Sequence, residues 1–437
     1  MPQLAAWKDS AHRKPLVLRG PRQVGKTWLL KEFGRRAFDD VAYFNFEESL
    51  ELRPLFDLTR DPHRILEHLQ AARAAPIIPG KTLVIFDEIQ ECNGALISLK
   101  YFCENLPEQH IAAAGSLLGV TLSRPSSFPV GKVDFLDLRP LTCSEYLTAI
   151  YDANLLTYLG SQKDLEPVPD LFSSRLNEHL ARYLMIGGMP RAVLEWAERR
   201  DMGAVMVAQQ AILDAFQLDF AKHTPDSDIA KVGHLWRSLP SQLARDNRKF
   251  LYSAAREGAR ARSYENALYW LVEMGIVTRV TRCTAPRLPL AAYDDLASFK
   301  LYVADTGLLS RLAGLDPSTL SGTGAPFTEF KGALTENYVL QSLIGQFDAP
   351  PRYWTSTGKA EVEFVLQRRN DIHPIEVKAG GNVRAQSLGV YRSQYTPHIA
   401  IRMSLRNLQF RDGLLDVPLF MADQLDRLIQ LAGEITE

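Results

Sequence analysis

Lys26 and Thr27 close the stretch Gly20-Pro21-Arg22-Gln23-Val24-Gly25-Lys26-Thr27. That spacing, G-x-x-x-x-G-K-[ST], is the pattern of a phosphate-binding P-loop. Its glycines let the backbone curl until N–H groups face an anion, and the helix that follows turns its positive end to the same point. Lys26 can then reach the β- and γ-phosphates of ATP, while the Thr27 hydroxyl can ligate Mg²⁺. The apolar Leu16-Val17-Leu18 leads in, and the helix-like segment from Thr27 to Phe33 leads out. The order expected is strand, loop, helix.

A second set of residues suits the first. The apolar run from Thr82 to Phe86 ends abruptly in Asp87-Glu88-Ile89-Gln90, which reads as a buried parallel strand with carboxylates at its C-terminal tip. Ligands of open α/β sheets sit at that edge. Asp87 is expected to hold Mg²⁺ and Glu88 to polarise the attacking water as a general base. Ser116, just past the small-residue strand from His110 to Ala114, fits either a γ-phosphate sensor or a helix cap. Lys132, Arg139 and Arg191 are all candidates for a charge-neutralising finger, and nothing in the sequence chooses among them. The segment around Ser116 does not match G-x-S-x-G, so a serine-hydrolase elbow is not supported. His63 and His68 are five residues apart and miss the zinc spacing of H-E-x-x-H.

A third set lies far downstream. Glu361-Val362-Glu363-Phe364-Val365-Leu366 alternates with period two, so Glu361 and Glu363 share one strand face. After a polar turn over residues 367 to 371, the strand from Ile372 to Val377 and the following Lys378 place Glu376 and Lys378 on a common face as well. Upstream, Phe330 to Ile344 reads as a helix carrying Glu336. A helix acid, a strand acid and an E-x-K pair together resemble the PD-(D/E)XK nuclease fold. That resemblance implies Mg²⁺ or Mn²⁺ held by Glu336, Glu363 and Glu376, with Lys378 positioning water or neutralising charge at a phosphodiester. Glu363 stands where the pattern usually has aspartate. The bland alternative is an exposed hairpin with outward-facing charges.

The elements that must position these groups follow from hydrophobic pattern. Val41 to Phe46 and Val133 to Leu138 read as further strands, and Thr142 with Glu145 forms a capping box. Residues 155 to 170 read as an irregular linker. Helical periodicity then dominates, with Leu176, Leu180 and Leu184 on one face and a long apolar-faced helix from Ala204 to Phe220. Between them stands Gly187-Gly188-Met189-Pro190. Tyr264 to Met274 reads as a helix closed by Gly275, followed by a strand from Ile276 to Thr281 that Phe299 to Ala304 could pair. Helix plus hairpin suggests a winged helix. Residues 245 to 287 carry a local net charge of +5, the footprint of contact with a phosphate backbone or else of a solvated basic face.

Four phrases in this chain, Gly20 to Thr27, Asp87-Glu88-Ile89-Gln90, Arg139-Pro140-Leu141-Thr142 and Gly187-Gly188-Met189-Pro190, resemble prokaryotic AAA-type ATP-binding proteins with a C-terminal domain of unknown function 4143. The resemblance implies an α/β protein in four parts. These are a P-loop AAA-type ATPase core over residues 1–152, a helical lid over 153–244, a winged-helix-like domain over 245–310, and a PD-(D/E)XK, restriction-endonuclease-like α/β domain over 311–437.

Composition bounds the function. With 437 residues, 46% of them hydrophobic, and a net charge of −1, the chain has several cores' worth of apolar residues and no global bias toward nucleic acid or membrane. Four cysteines without metal-site spacing suit reduced thiols, and there is no signal-like apolar segment or membrane-length run. A cytoplasmic location is expected. The function expected is a Mg²⁺-dependent ATPase coupled to a DNA-associated, nuclease-like domain. The rival is a nucleotide-operated switch acting on protein partners, with the nuclease-like domain inactive. AAA proteins often assemble into rings, but no residue pattern here fixes an oligomeric state.

Overall fold

A computed structural model describes residues 1–115, 131–245, 248–317, 326–380 and 386–436. The chain divides into two compact units, one formed by Met1–Arg139 with Glu273–Gly275 and the other by Pro140–Val272 with Ile276–Glu437.

The smaller unit is built on five parallel strands, β1 (Leu16–Arg19), β2 (Asp40–Asn45), β3 (Thr82–Asp87), β4 (Ile111–Ala114) and β5 (Asp134–Asp137), in the order β2-β3-β4-β1-β5. Every residue of β3 is buried, as its unbroken apolar run requires. Alternate side chains supply two cores. Val17, Ala42, Phe44, Val84 and Phe86 face one layer, where α3 (Pro62–Arg73) and α4 (Asn93–Asn105) pack. Leu16, Leu18, Leu83, Ile85 and Ala114 face the other, beneath α1 (Pro2–Asp9) and α2 (Lys26–Ala37). Truncating a side chain such as Ile85 to alanine costs about 2–5 kcal/mol in such a core. Trp7 packs under the sheet against Phe33 and His110, and its Nε1 donates to Lys14 O at 2.8 Å. Pairing of Asn45 with Asp87 and of Leu18 with Ala114 brings the strands' C-terminal ends to one edge.

The larger unit opens with helices α5 (Cys143–Ala149), α6 (Ala153–Ser161), α7 (Asp170–Ile186), α8 (Pro190–Arg199), α9 (Met202–His223) and α10 (Asp226–Leu243). The Thr142–Glu145 capping box starts α5 with both reciprocal bonds made. Part of the expected irregular linker is α6, because Leu155 and Leu159 recur one turn apart and both are buried. The segments containing Leu141 and Gly188 touch directly. Leu141 N–H donates to Gly188 O at 2.7 Å, and a Cβ on Gly188 would lie 1.9 Å from Leu141 O, so only glycine fits. Asp305, fully buried, accepts the Gly188 N–H at 2.6 Å and caps α12 (Thr306–Leu312) through Leu308 N at 2.9 Å.

Between α10 and α12, α11 (Ala261–Glu273) precedes β6 (Val277–Cys283) and β7 (Asp294–Val303), which pair antiparallel as expected. The hairpin is not a free wing. It belongs to an eight-stranded sheet with β8 (Arg352–Thr355), β9 (Glu361–Arg368), β10 (Asp371–Val377), β11 (Ala400–Ser404), β12 (Gln409–Arg411) and β13 (Leu414–Pro418), in the order β12-β13-β11-β10-β9-β8-β6-β7. Pairing of Arg282 with Tyr353 and of Cys283 with Trp354 closes β6 against β8, so the expected division between residues 310 and 311 falls inside one sheet. Helices α13 (Pro326–Leu343), α14 (Gln386–Tyr395) and α15 (Leu425–Thr436) complete the unit. The turn between β9 and β10 is shorter than the pattern suggested, two residues with Arg369 at φ 53°.

The four cysteines are free thiols, and Cys92, Cys143 and Cys283 are buried. No helix among the described residues is long and apolar enough to cross a membrane.

Candidate active site

The P-loop joins β1 to α2 under tight steric control. A Cβ on Gly20 would come within 2.1 Å of Leu138 O, and Gln23 and Gly25 adopt positive φ values of 63° and 96°. Left-handed residues in such a loop turn backbone N–H groups to one side, which makes an anion nest. Val24 anchors the loop in the core at 3% exposure, Pro21 is buried, and Arg22 is half-buried. Lys26 is buried as well, and its ammonium donates to Gly20 O at 2.8 Å and Pro21 O at 2.9 Å.

Asp87, at the tip of β3, is buried, and its carboxylate gathers neutral donors. Thr27 Oγ1 donates to Asp87 Oδ2 at 2.7 Å, the Tyr43 hydroxyl to the same oxygen at 2.8 Å, and the Glu88 N–H to Oδ1 at 3.1 Å. Burial and Asp87 together push the Tyr43 phenol above its usual range, so it stays a donor. Glu88 sits in the left-handed region at φ 46°, and Gln90 Nε2 donates to its Oε2 at 2.5 Å. A non-glycine residue held there marks backbone strain, which concentrates at functional sites.

Tyr43 and Gln90 were not singled out by sequence. Tyr43 reaches Asp87 only because β2 lies beside β3, a pairing that leaves no linear trace. Gln90 had a signal, its place two residues after Glu88. Arg139 is 3.9 Å from Asp137, which Arg19 already holds at 2.8 Å, and burial lowers the Arg139 pKa. Lys132 pairs with Glu104 at 2.9 Å. Ser116 lies outside the described residues.

The donor set fits a magnesium nucleotide. A hydroxyl and a carboxylate oxygen meet at Thr27 and Asp87, the hard oxygen ligands such an ion takes, behind a lysine that donates to backbone carbonyls of its own loop. Bound there, the ion would supply charge neutralisation at the transferred phosphoryl group.

In the larger unit, pairing of Ile375 with Phe364 sets Glu363 beside Glu376 on adjacent strands. Lys378 Nζ lies 3.1 Å from Glu376 and 3.9 Å from Glu363, and Val377 N–H donates to Glu363 Oε2 at 3.1 Å. Glu376 is 1% exposed, and its Oε2 is buried without a hydrogen-bond partner. Burial raises its pKa, with Lys378 opposing and Glu363 reinforcing the shift. Glu361 shares the face of Glu363 but pairs with the buried Lys300.

Glu336, the helix acid of the expected metal set, is engaged by other groups. Its carboxylate is paired with Arg248 and accepts the Tyr302 hydroxyl at 3.0 Å. Among the described residues no three His, Cys, Asp or Glu side chains converge as metal ligands. As placed, the second site is an acid pair with its own ammonium. Sequence could not show that Arg248 reaches Glu336 across 88 residues.

A parallel α/β sheet with a P-loop and an acid-tipped strand at one edge defines a nucleoside-triphosphate-binding protein. An AAA domain matches residues 12–147, a domain of unknown function, 8612, matches 177–319, and the domain of unknown function 4143 matches 331–420. The chain thus carries an AAA domain in its N-terminal part and the domain of unknown function 4143 toward its C-terminus. No curated protein matches it. Among solved structures it is similar to the Walker-type ATPase PABY2304 of Pyrococcus abyssi, at 16% identity over 71% of this chain and 94% of that one, with a TM-score of 0.45. It is similar also to the RuvB Holliday junction branch migration motor of Thermotoga maritima, at 17% identity over 66% and 86%, TM-score 0.29. Cdc6p from Pyrobaculum aerophilum follows at 13% identity over 72% and 90%, TM-score 0.24.

Proposed function

We propose that Lys26, Thr27, Asp87 and Glu88 carry Mg²⁺-dependent ATP hydrolysis, and that this hydrolysis drives a DNA-associated, nuclease-like C-terminal region. The contact between Thr27 and Asp87 at 2.7 Å, directly behind Lys26, carries the reading. Lys26 releases its backbone carbonyls to bind phosphate oxygens. Glu88, oriented by Gln90, accepts the proton of the attacking water at its carboxylate. Arg139 is our candidate for the finger that neutralises charge.

DNA association is supported by the basic segment, in which Arg256, Arg260, Arg262 and Arg287 are exposed or half-exposed while Arg248 and Arg282 pair with Glu336 and Asp295. The nuclease-like reading is supported by Glu363, Glu376 and Lys378 meeting on adjacent strands. A second reading, a nucleotide-operated switch acting on protein partners with an inactive C-terminal site, is favoured by the commitment of Glu336 to Arg248. Free thiols suit a cytoplasmic setting.

Incubation of the full chain with DNA and Mn²⁺ at two salt concentrations separates the readings. Salt-sensitive DNA binding with cleavage that disappears in Lys378→Ala supports the first. Absence of binding at moderate salt supports the second.

A further inference from the structure

In the helical part of the larger unit, a cavity of about 350 Å³ opens between α7, α8 and the turn joining α5 to α6. Its chemistry comes from three arginines. Arg175 and Arg182 stand with His179 on one face of α7, at spacings of four and three residues. Arg200 comes from the end of α8, in the left-handed region at φ 55°. Its guanidinium donates to Ile150 O at 3.3 Å and lies 5.7 Å from the centre of the Trp196 ring.

Against these three permanent charges the cavity offers one carboxylate. Asp152, 8% exposed, lies 2.8 Å from Arg175 and 2.9 Å from His179 Nε2 through the same oxygen, at ion-pair distance. The acid near Arg182 is Glu178, at 3.4 Å and largely in solvent on the same helix. The three guanidiniums are half to largely exposed and line one concave surface, which leaves it with an excess of positive charge open to an anion from solvent.

Among the cavity's lining residues, Trp196 Nε1, His179 Nδ1 and Asp152 Oδ2 are buried without a hydrogen bond of good geometry; the Tyr146 hydroxyl, which neighbours the indole from outside the cavity, is in the same state. A ligand with several acceptor oxygens would balance the arginines.

We propose that this cavity binds a small phosphate-bearing ligand, with its phosphate among Arg175, Arg182 and Arg200 and its remainder against the Trp196 indole. Arginine's planar fork suits phosphate oxygens. The volume lies at the lower end of small-molecule sites, about 300–1,000 Å³, and suits a mononucleotide-sized molecule better than a duplex needing an open track.

His179 supplies an independent readout. Its Nε2 faces Asp152, which leaves Nδ1 as the nitrogen that gains a proton. The groups around it are Asp152, Arg175 and Arg182, with Arg200 lining the same cavity. Burial holds the imidazole below its usual pKa, Asp152 pulls it up and the arginines push it down. An anion among those arginines favours the protonated ring, so binding takes up a proton at His179 and that contribution strengthens as pH falls toward the free ring's lowered pKa.

The test uses the full chain carrying Lys26→Ala, so that the P-loop does not capture the probe. Titration calorimetry is run with inorganic pyrophosphate, AMP and a short single-stranded DNA. The expected result is binding of pyrophosphate or AMP, weakened at least about tenfold by Arg182→Gln and by Arg200→Asn. Asn tolerates the left-handed backbone at position 200, and unchanged circular dichroism and melting temperature exclude unfolding. The pH dependence is expected to flatten in His179→Gln. Absence of small-phosphate binding, affinity indifferent to both arginine variants, or binding confined to the DNA strand overturns the proposal.

Discussion

Two acid-bearing strands, β3 and β10, hold their carboxylates in opposite ways. Asp87 is approached by hydroxyls, from Thr27 and Tyr43. Glu376 is approached by an ammonium, Lys378. A carboxylate approached by hydroxyls can share a hard cation with them, because the Thr27 and Tyr43 hydroxyls can turn their lone pairs toward it. A carboxylate beside a lysine already has a counter-charge and must give it up before it can take a metal. The first site is thus organised around a ligand from outside, while the second is balanced at rest. The same contrast separates Lys26, which donates to easily displaced backbone carbonyls, from Lys378, engaged by two carboxylates.

Three substitutions bear on that contrast. The largest effect is expected from Lys26→Ala, which removes the ammonium aimed at the phosphates. ATP affinity measured by calorimetry should fall at least about 100-fold, in line with loss of strong charge-assisted bonds. An unchanged affinity would mean the loop does not bind as described.

Next comes Lys378→Ala, which leaves Glu376 buried without its counter-charge. Breaking such a pair costs about 3–5 kcal/mol when both partners are buried, and about 1–3 kcal/mol here because Lys378 is partly exposed. The sign of its pH dependence follows from Glu376, whose pKa is already raised by burial. Its protonated form is favoured in the fold, so the loss in melting temperature should be largest at neutral pH. It should shrink as pH falls through the raised pKa toward the unfolded value. A pH-independent loss would show that Lys378 acts through packing.

The smallest effect belongs to Tyr43→Phe, which deletes one of the two hydroxyls on Asp87 and leaves the ring under Lys31. A loss of about 0.5–1.5 kcal/mol, read as a several-fold change in Mg²⁺ dependence of turnover, is expected. An effect as large as that of Lys26→Ala would place Tyr43 in the reaction itself.

The first site was legible in the sequence because its groups are local. A P-loop and an acid-tipped strand carry their geometry in spacing and hydrophobic pattern, and β1, α2 and β3 followed from it. Glu363, Glu376 and Lys378 were legible for the same reason, since a hairpin with period-two alternation brings its partners together. What did not show was everything decided by long-range pairing. Glu336 fits a helix acid in the pattern, yet Arg248 and Tyr302 claim it from distant elements. The hairpin of β6 and β7 reads as a wing, yet β8 pairs with β6 and draws it into a larger sheet. The apolar pair Leu155 and Leu159 carried a helix signal that the surrounding prolines and polar residues obscured.

The central claim is that Glu88, held by Gln90 beside Asp87, activates water for ATP hydrolysis. Steady-state turnover of the full chain with ATP and Mg²⁺ should fall about 10²–10⁴-fold in Glu88→Gln, the range typical of losing a general base, while ATP binding persists. Turnover equal to that of the wild type would contradict the account.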